Sequence, residues 1–330
     1  MDGEGRSILA QDKGPQSQAP AARPQSPAVR GFFALSKAQS ISAHFRKTAV
    51  WFPKRHGVSG TRAPFDRRQG KENTDGRKSE KENDILEKTL SIAENGYAEA
   101  YRFLLDAYEQ APEAYGPQTL YFLACLVGGA ERPEAALGWL RTAIADRGWW
   151  YRPEVLEDDD LAQLNGNAEF WSLKACSDMR YADAVSQAEA QFSWERKTAE
   201  RLFLAVHGNT QNGQTAREDW SPILLGNDRW QLETIQSAEP DGYGTYRWSY
   251  DMVSYLPVAE AIKKVQNEGY QKLVCGGFSA GCDALLRAVT FSPVRCDMLL
   301  LQSPWLPVLQ EHADILLQAL RQKDIAIRIL

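Results

Sequence analysis

The spacing of apolar residues divides the chain into three parts. From residue 84 to about 188, apolar side chains recur every three or four positions, the period of a helix with one buried face. In TLYFLACLVGGAERPEAALGWLRTAIADRG, Leu120, Leu123, Ala124 and Val127 line one helical face, Gly128 and Gly129 turn the chain, and Ala136, Leu140 and Ala143 line the next. That spacing predicts a helical hairpin. From Arg201 the pattern changes to short continuous apolar runs: RLFLAVHG, WQLETIQS, KLVCGG, CDMLLLQS and IAIRIL. Helical stretches near 251–268, 280–290 and 306–322 lie between them. Strands buried on both faces and separated by helices predict a parallel α/β sheet, with any active site at the carboxyl ends of the strands. Ahead of both patterns, Gln, Ser, Pro, Ala, Arg and Lys dominate and few apolar residues cluster, so too little surface can be buried to offset ordering entropy. The organisation expected is a disordered basic tail over 1–83, a helical module over 84–188 and an α/β domain over 189–330.

Length and charge add little to this division. A chain of 330 residues has room for two folded units and a tail. The net charge of −5 conceals a basic first part, carrying Arg23, Arg30, Lys37, Arg46, Lys47, Lys54, Arg55, Arg62, Arg67 and Arg68, and an acidic remainder. Only the tail could attract a polyanion or act as a targeting arm; its few aromatics form no stacking pattern, so a solvated segment with no nucleic-acid partner is expected. Cys125, Cys176, Cys275, Cys282 and Cys296 lack the paired spacing of a zinc site, and their odd number closes no disulfide framework. Reduced thiols in a cytoplasmic setting are expected, with no metal. No run approaches the roughly 18 apolar residues of a membrane span, and the start Met-Asp-Gly-Glu lacks the basic region of a secretory signal. Asp158, Asp159 and Asp160 precede Leu161 and Leu164, a pattern that caps a helix; as a metal site it is weak.

Ala124 and Ala136 lie at the separation where two antiparallel helices approach closely. With the upstream echo of Ala100, Leu104, Ala107 and Pro112, the region resembles the tetratricopeptide repeat, in one full and one partial copy. The resemblance implies a short packed module with a possible protein partner on its concave face. Further on, DLAQL followed by AEFWSL resembles the closing part of helical modules that some bacterial hydrolases carry ahead of the catalytic domain.

Two glycine motifs sit at strand ends. VHGNTQNG follows the first run, and Gly277-Phe278-Ser279-Ala280-Gly281 follows the third. A serine on a sharp strand-to-helix turn projects its hydroxyl above the sheet, and glycines two residues to either side let the backbone turn without side-chain clashes. The N–H of Ala280 would then lie at a helix start, where partial positive charge can stabilise an oxyanion. Taken in this order, the motifs resemble the α/β-hydrolase family over 201–330. The resemblance implies a small-molecule carboxylic ester or thioester substrate and an acyl-enzyme on Ser279, with no cofactor; a peptidase of the same fold is the near alternative. It implies that Ala280 and Asn209 supply oxyanion N–H groups, with Thr210 or Gln211 as alternatives to Asn209. Gly277, Gly281 and Gly208 are then the motif glycines, and His207 shapes the oxyanion loop rather than acting as base.

In that family the acid and the histidine follow later strands than the serine. Here both would fall beyond Leu330, so the chain reads as C-terminally truncated, with little or no turnover as written. His312 lies in a helical stretch one strand too early, His44 and His56 lie in the tail, and Asp283, Asp297 and Asp314 have no histidine placed for them to orient. The competing reading is a non-catalytic interaction protein that uses a degenerate hydrolase domain as a scaffold. The loop SAEPDGYGTYRWSYD, with Tyr243, Tyr246, Trp248 and Tyr250, is either an aromatic cleft wall or packing over the sheet.

Overall fold

The computed structural model describes residues 74–330 apart from 225, 226 and 252. The first 73 residues, with their basic positions and with His44 and His56, lie outside the described residues. Helix α1, Thr74–Ala93, begins inside the stretch expected to be tail, so the expected boundary at 83 falls within a helix. Its Lys and Glu residues are good helix formers. Glu82 also ties it to the segment 116–119, accepting hydrogen bonds from the Gly116 N–H at 2.8 Å and the Thr119 hydroxyl at 2.6 Å.

Four more helices complete the module: α2 (Tyr97–Gln110), α3 (Pro117–Gly129), α4 (Pro133–Arg141) and α5 (Ala168–Gln187). Proline opens α3 and α4 at positions where the missing N–H costs nothing. The Asn167 side chain caps α5 by accepting from the N–H groups of Glu169 and Phe170. Leu120, Leu123, Ala124 and Val127 of α3 and Ala136 and Leu140 of α4 are all buried in one core, joined by Ala143 in the π-helical turn after α4. The chain turns at 130–132, however, and not at Gly128 and Gly129, which are the last residues of α3. Those glycines serve close packing. A Cβ on Gly128 would lie 2.3 Å from the Asp160 carbonyl oxygen, and one on Gly129 would lie 2.0 Å from the Tyr97 ring. Asp158 caps the 3-10 turn Asp159–Leu164 through the Asp160 N–H and also accepts from the Tyr121 hydroxyl at 2.9 Å.

The second half is built on a six-stranded sheet. Its strands are β1 (Gln191–Phe192), β2 (Arg201–Val206), β3 (Trp230–Gln236), β6 (Lys272–Phe278), β7 (Met298–Gln302) and β8 (Ala326–Ile329), in the order β1-β3-β2-β6-β7-β8. All neighbours run parallel except the short edge strand β1, which pairs antiparallel with β3. Side chains alternate between two faces. Leu202, Leu204, Val206, Leu273, Cys275, Leu299 and Leu301 share a core with helices α7 (Leu256–Val265), α8 (Ala280–Phe291) and α9 (Pro307–Gln322). Phe203, Ala205 and Val274 face the other way, onto Ala216 and Trp220 of α6 (Gly213–Leu224). Gly276 makes room there for the Phe203–Trp220 ring pair; a Cβ would meet the Phe203 ring at 2.4 Å. Helix α6, whose apolar face is the sparse series Ala216, Trp220 and Leu224, and the short hairpin of β4 (Glu239–Gly242) and β5 (Thr245–Arg247) were not expected from the sequence pattern.

Candidate active site

Between β6 and α8 the chain reverses on Ser279, whose φ of 51° and ψ of −115° are conformations a side-chain-bearing residue rarely adopts. The neighbouring glycines are what allow it. A Cβ on Gly277 would lie 2.9 Å from the backbone of Gly281 and Cys282, and one on Gly281 would lie 2.4 Å from the His207 carbonyl oxygen and 2.8 Å from that of Val206. Gly277 thus lets the end of β6 pass close to the first turn of α8, and Gly281 lets α8 approach the end of β2. The turn is pinned from β7 and the loop after it: Ser279 donates its N–H to the Gln302 carbonyl at 3.0 Å, and its own carbonyl accepts from Cys282 and Trp305 at 3.1 and 3.2 Å. The Ser279 Oγ is buried and has no hydrogen-bond partner among the described residues. A buried hydroxyl without a partner costs on the order of 1–3 kcal/mol, and so does the backbone strain.

The loop after β2 abuts this turn, with Gly208 against the Phe278 ring, where a Cβ would lie 2.7 Å away. His207 is wholly buried. Its Nδ1 lies 2.6 Å from the Gly208 carbonyl, and its Nε2 accepts the Ser237 N–H at 3.1 Å, an arrangement that fits the neutral tautomer with the proton on Nδ1. Both ring nitrogens are therefore committed to backbone, and the ring packs on Trp248 at 5.1 Å between centroids. The Trp248 indole in turn donates to the His207 carbonyl at 2.9 Å. The Gly208 N–H is taken by the Gln211 side chain, and Asn209 uses its side-chain oxygen to accept the Trp248 N–H. Ala280 is the first residue of α8, where a backbone N–H has no acceptor within the helix.

Burial lowers the His207 pKa to about 4, against a smaller opposing effect of the Gly208 carbonyl. The unfolded chain, with an ordinary value near 6.5, binds the proton more readily, so stability contributed by the neutral ring is complete above that value and is lost as pH falls toward 4. Urea midpoints measured from pH 7 down to 4 are expected to report a loss on the order of 3 kcal/mol from this group. A His207→Gln variant should lack that part of the slope; an unchanged slope would show that His207 does not carry it.

Other titratable groups lie elsewhere. His312 sits at a kink in α9, 40% exposed, with its ring edge on Phe291 and Nε2 3.9 Å from the Glu311 carboxylate. Asp283 pairs with Arg287, Asp297 accepts the Leu273 N–H, and Asp314 is exposed. The Cys282 thiol, its pKa pushed up by burial, donates to the Gly277 carbonyl at 3.0 Å. Among the described residues, no group of three or more His, Cys, Asp or Glu side chains could hold a metal ion, and no helix is long and apolar enough to cross a membrane. The aromatic loop divides between two jobs. Trp248 is core, Tyr243 packs against Trp149 and Trp150 of the helical module, and Tyr250 bonds Glu311 and lies over Arg287. Its local sequence carried no sign of these partners, although the i, i+4 spacing of Asp283 and Arg287 was there to be read.

Residues 81–185 match the family model described as "A/B hydrolase-like, N-terminal domain". With the sheet order and the serine turn, this supports an α/β-hydrolase fold. Among solved structures, the chain is similar to an uncharacterized protein from Bacillus cereus ATCC 10987 at 28% identity, covering 74% of this chain and 80% of that one with a TM-score of 0.36. It is also similar to Zea mays acyl-protein thioesterase 2, at 18% identity over 42% of this chain and 74% of that one, TM-score 0.27. A third similarity is to the Bacillus cereus carboxylesterase, at 12% identity over 46% and 87% of the two chains, TM-score 0.31. A comparison with curated proteins finds no match.

Proposed function

We propose that this chain is a serine hydrolase that forms an acyl-enzyme on Ser279 from a carboxylic ester or thioester. The observation that carries the reading is the combination at Ser279 of a strained backbone and a buried hydroxyl with no partner among the described residues. A structure that bears both costs at one residue points to chemistry there, because a merely structural turn would relax either. The N–H groups of Ala280 and Asn209 are the oxyanion donors in this reading, and His207 is the residue that shapes their loop. No imidazole or carboxylate among the described residues is bonded to Ser279, so its proton acceptor is not His207 or His312 as they stand. Oxyanion donors and binding without the full triad leave about 10³ to 10⁴-fold catalysis over water. The same proposal takes the helical module as a tetratricopeptide-like pair of hairpins, supported by the full burial of Ala124 and Ala136 at the α3–α4 crossing, and takes the five free thiols as fitting a cytoplasmic setting.

The test is labelling of the whole chain with a fluorophosphonate and mapping of the adduct by peptide mass spectrometry. Ser279 is expected to be modified selectively, slowly, and well ahead of exposed serines such as Ser186. Modification of Ser279 no faster than of Ser186 would remove the hydrolase reading and favour the scaffold.

A further inference from the structure

The loop after β2 is held partly by its own bonds, from the Gly208 N–H to the Gln211 side chain and from the Thr210 hydroxyl to the Asn209 carbonyl, and partly from outside. Thr210 adopts a φ of 60°, a left-handed conformation unusual for threonine, and its backbone N–H is among the groups that favour the charged form of Asp241 on β4 against the upward push of burial. The neighbouring residues are tied to the same hairpin: the Tyr246 N–H donates to the Gln211 carbonyl at 2.7 Å, the Asn212 side chain donates to the Gly244 carbonyl at 3.0 Å, and the Trp248 N–H donates to the Asn209 side chain at 2.8 Å. The hairpin is in turn bound to the helical module. Tyr151 forms an antiparallel bridge with Gly242, the Tyr243 N–H donates to the Trp150 carbonyl at 3.2 Å, and the Arg152 guanidinium meets Asp241 at 2.8 Å. That ion pair is nearly buried, at 14% and 9% side-chain exposure.

We propose that Arg152 and Asp241 are positioning residues, through which the helical module holds the 207–212 loop in the shape that oxyanion binding at Ser279 requires. This rests on the reading of Ser279 as nucleophile. Two physical reasons support it. A loop with a left-handed threonine keeps that conformation only if its surroundings enforce it, and the hairpin that carries Asp241, with Trp248 just after it, bonds Asn209, Gln211 and Asn212 on either side of Thr210. Burial raises the Asp241 pKa, and Arg152 from the module, with Arg247 on β5, opposes that rise, so the pair keeps a nearly buried carboxylate on the supporting hairpin from standing uncompensated. The module thereby has a role in the chemistry of the sheet domain without touching substrate.

Hydrogen exchange read by mass spectrometry tests the coupling in the full chain. In Arg152→Met, peptides covering 207–212 are expected to exchange about tenfold faster while those from β2 and β6 are unchanged, and Arg152→Lys should restore most of the protection. Fluorophosphonate labelling of Ser279 should slow roughly tenfold in Arg152→Met. Should that variant fail to fold, Arg152→Met with Asp241→Asn removes both charges without stranding one, and its 207–212 peptides are still expected to exchange faster than those of β2 and β6, because the tie to the module is gone; unchanged loop exchange in it overturns the proposal. Unchanged loop exchange, or a rise shared equally by every peptide, overturns the proposal; so does faster loop exchange with an unaltered labelling rate. A wild-type chain that never labels at Ser279 overturns the hydrolase reading instead, and the exchange comparison then decides alone whether the pair holds the loop.

Discussion

Replacing Arg287 with alanine is expected to destabilise the folded chain by about 3–5 kcal/mol, because it leaves a carboxylate uncompensated in the core one turn after the candidate nucleophile. Asp283 is 1% exposed and Arg287 4%, and their side chains meet at 2.7 Å across one turn of α8. The other Asp283 oxygen accepts the Val308 N–H at 2.9 Å, which docks the start of α9. Arg287 also donates to the carbonyls of Ser249 and Asp251 and to the Ser254 hydroxyl, and lies over the rings of Tyr250 and Tyr255. Burial already raises the Asp283 pKa, and Arg287 is one of the groups that oppose the rise. Without the guanidinium the carboxyl must either stay charged in a poorly solvated site or take up a proton, and three backbone and hydroxyl acceptors lose their donor as well. Urea unfolding at pH 7 followed by tryptophan fluorescence measures the loss. The double variant Asp283→Asn with Arg287→Met is expected to be clearly more stable than Arg287→Ala alone, since it removes the stranded charge and keeps the volume. If the single variant loses less than about 1 kcal/mol, the pair is not buried as described.

The second large effect is expected at Gly281. Alanine there places a methyl group 2.4 Å and 2.8 Å from two carbonyl oxygens at the end of β2. Backbone in a sheet cannot rotate aside as a side chain can, so the cost belongs at the upper end for overpacking, about 3 kcal/mol or more. The geometric consequence is larger than the energetic one. To relieve the contact, α8 must withdraw from β2, separating the Ala280 N–H and Ser279 from the 207–212 loop. Gly281→Ala should therefore lose Ser279 labelling altogether under conditions where the variant is still folded. Gly138 provides the control: its Cβ would meet nothing within 4 Å, and Gly138→Ala within α4 is expected to stabilise by about 0.5–1 kcal/mol. Equal behaviour of the two variants would show that the serine turn does not depend on the close approach of helix and strand.

How much of this was readable beforehand depends on the range of the forces involved. Runs such as RLFLAV and KLVCGG were legible because a strand covered on both faces needs apolar residues at every position, and they are β2 and β6. The GFSAG turn was legible because its pattern lies within five consecutive residues, although the reason for Gly281, the carbonyls at the end of β2, lies more than 70 residues upstream. Helix α6 was not, because its sheet-facing residues Ala216, Trp220 and Leu224 are spaced a full turn apart among polar residues and the helix contains a proline. The two-residue β1 and the polar β4–β5 hairpin are too short for any period to emerge. Gly128 and Gly129 show the opposite error, since a glycine pair that looks like a turn is there for the ring of Tyr97 and the carbonyl of Asp160.

Local pattern was thus enough to locate the strands, the helical hairpin and the serine between its glycines, because each is specified by residues adjacent along the chain. The polar partners are another matter. That both nitrogens of His207 are spent on backbone, that the Ser279 hydroxyl has no partner among the described residues, and that Arg152 meets Asp241 across 89 positions are properties of chain segments brought together only when two cores have packed. Hydrogen bonds and ion pairs act over a few ångströms and leave no period in the sequence, so the surroundings of the serine emerge from folding while its place on the turn is written in five consecutive residues.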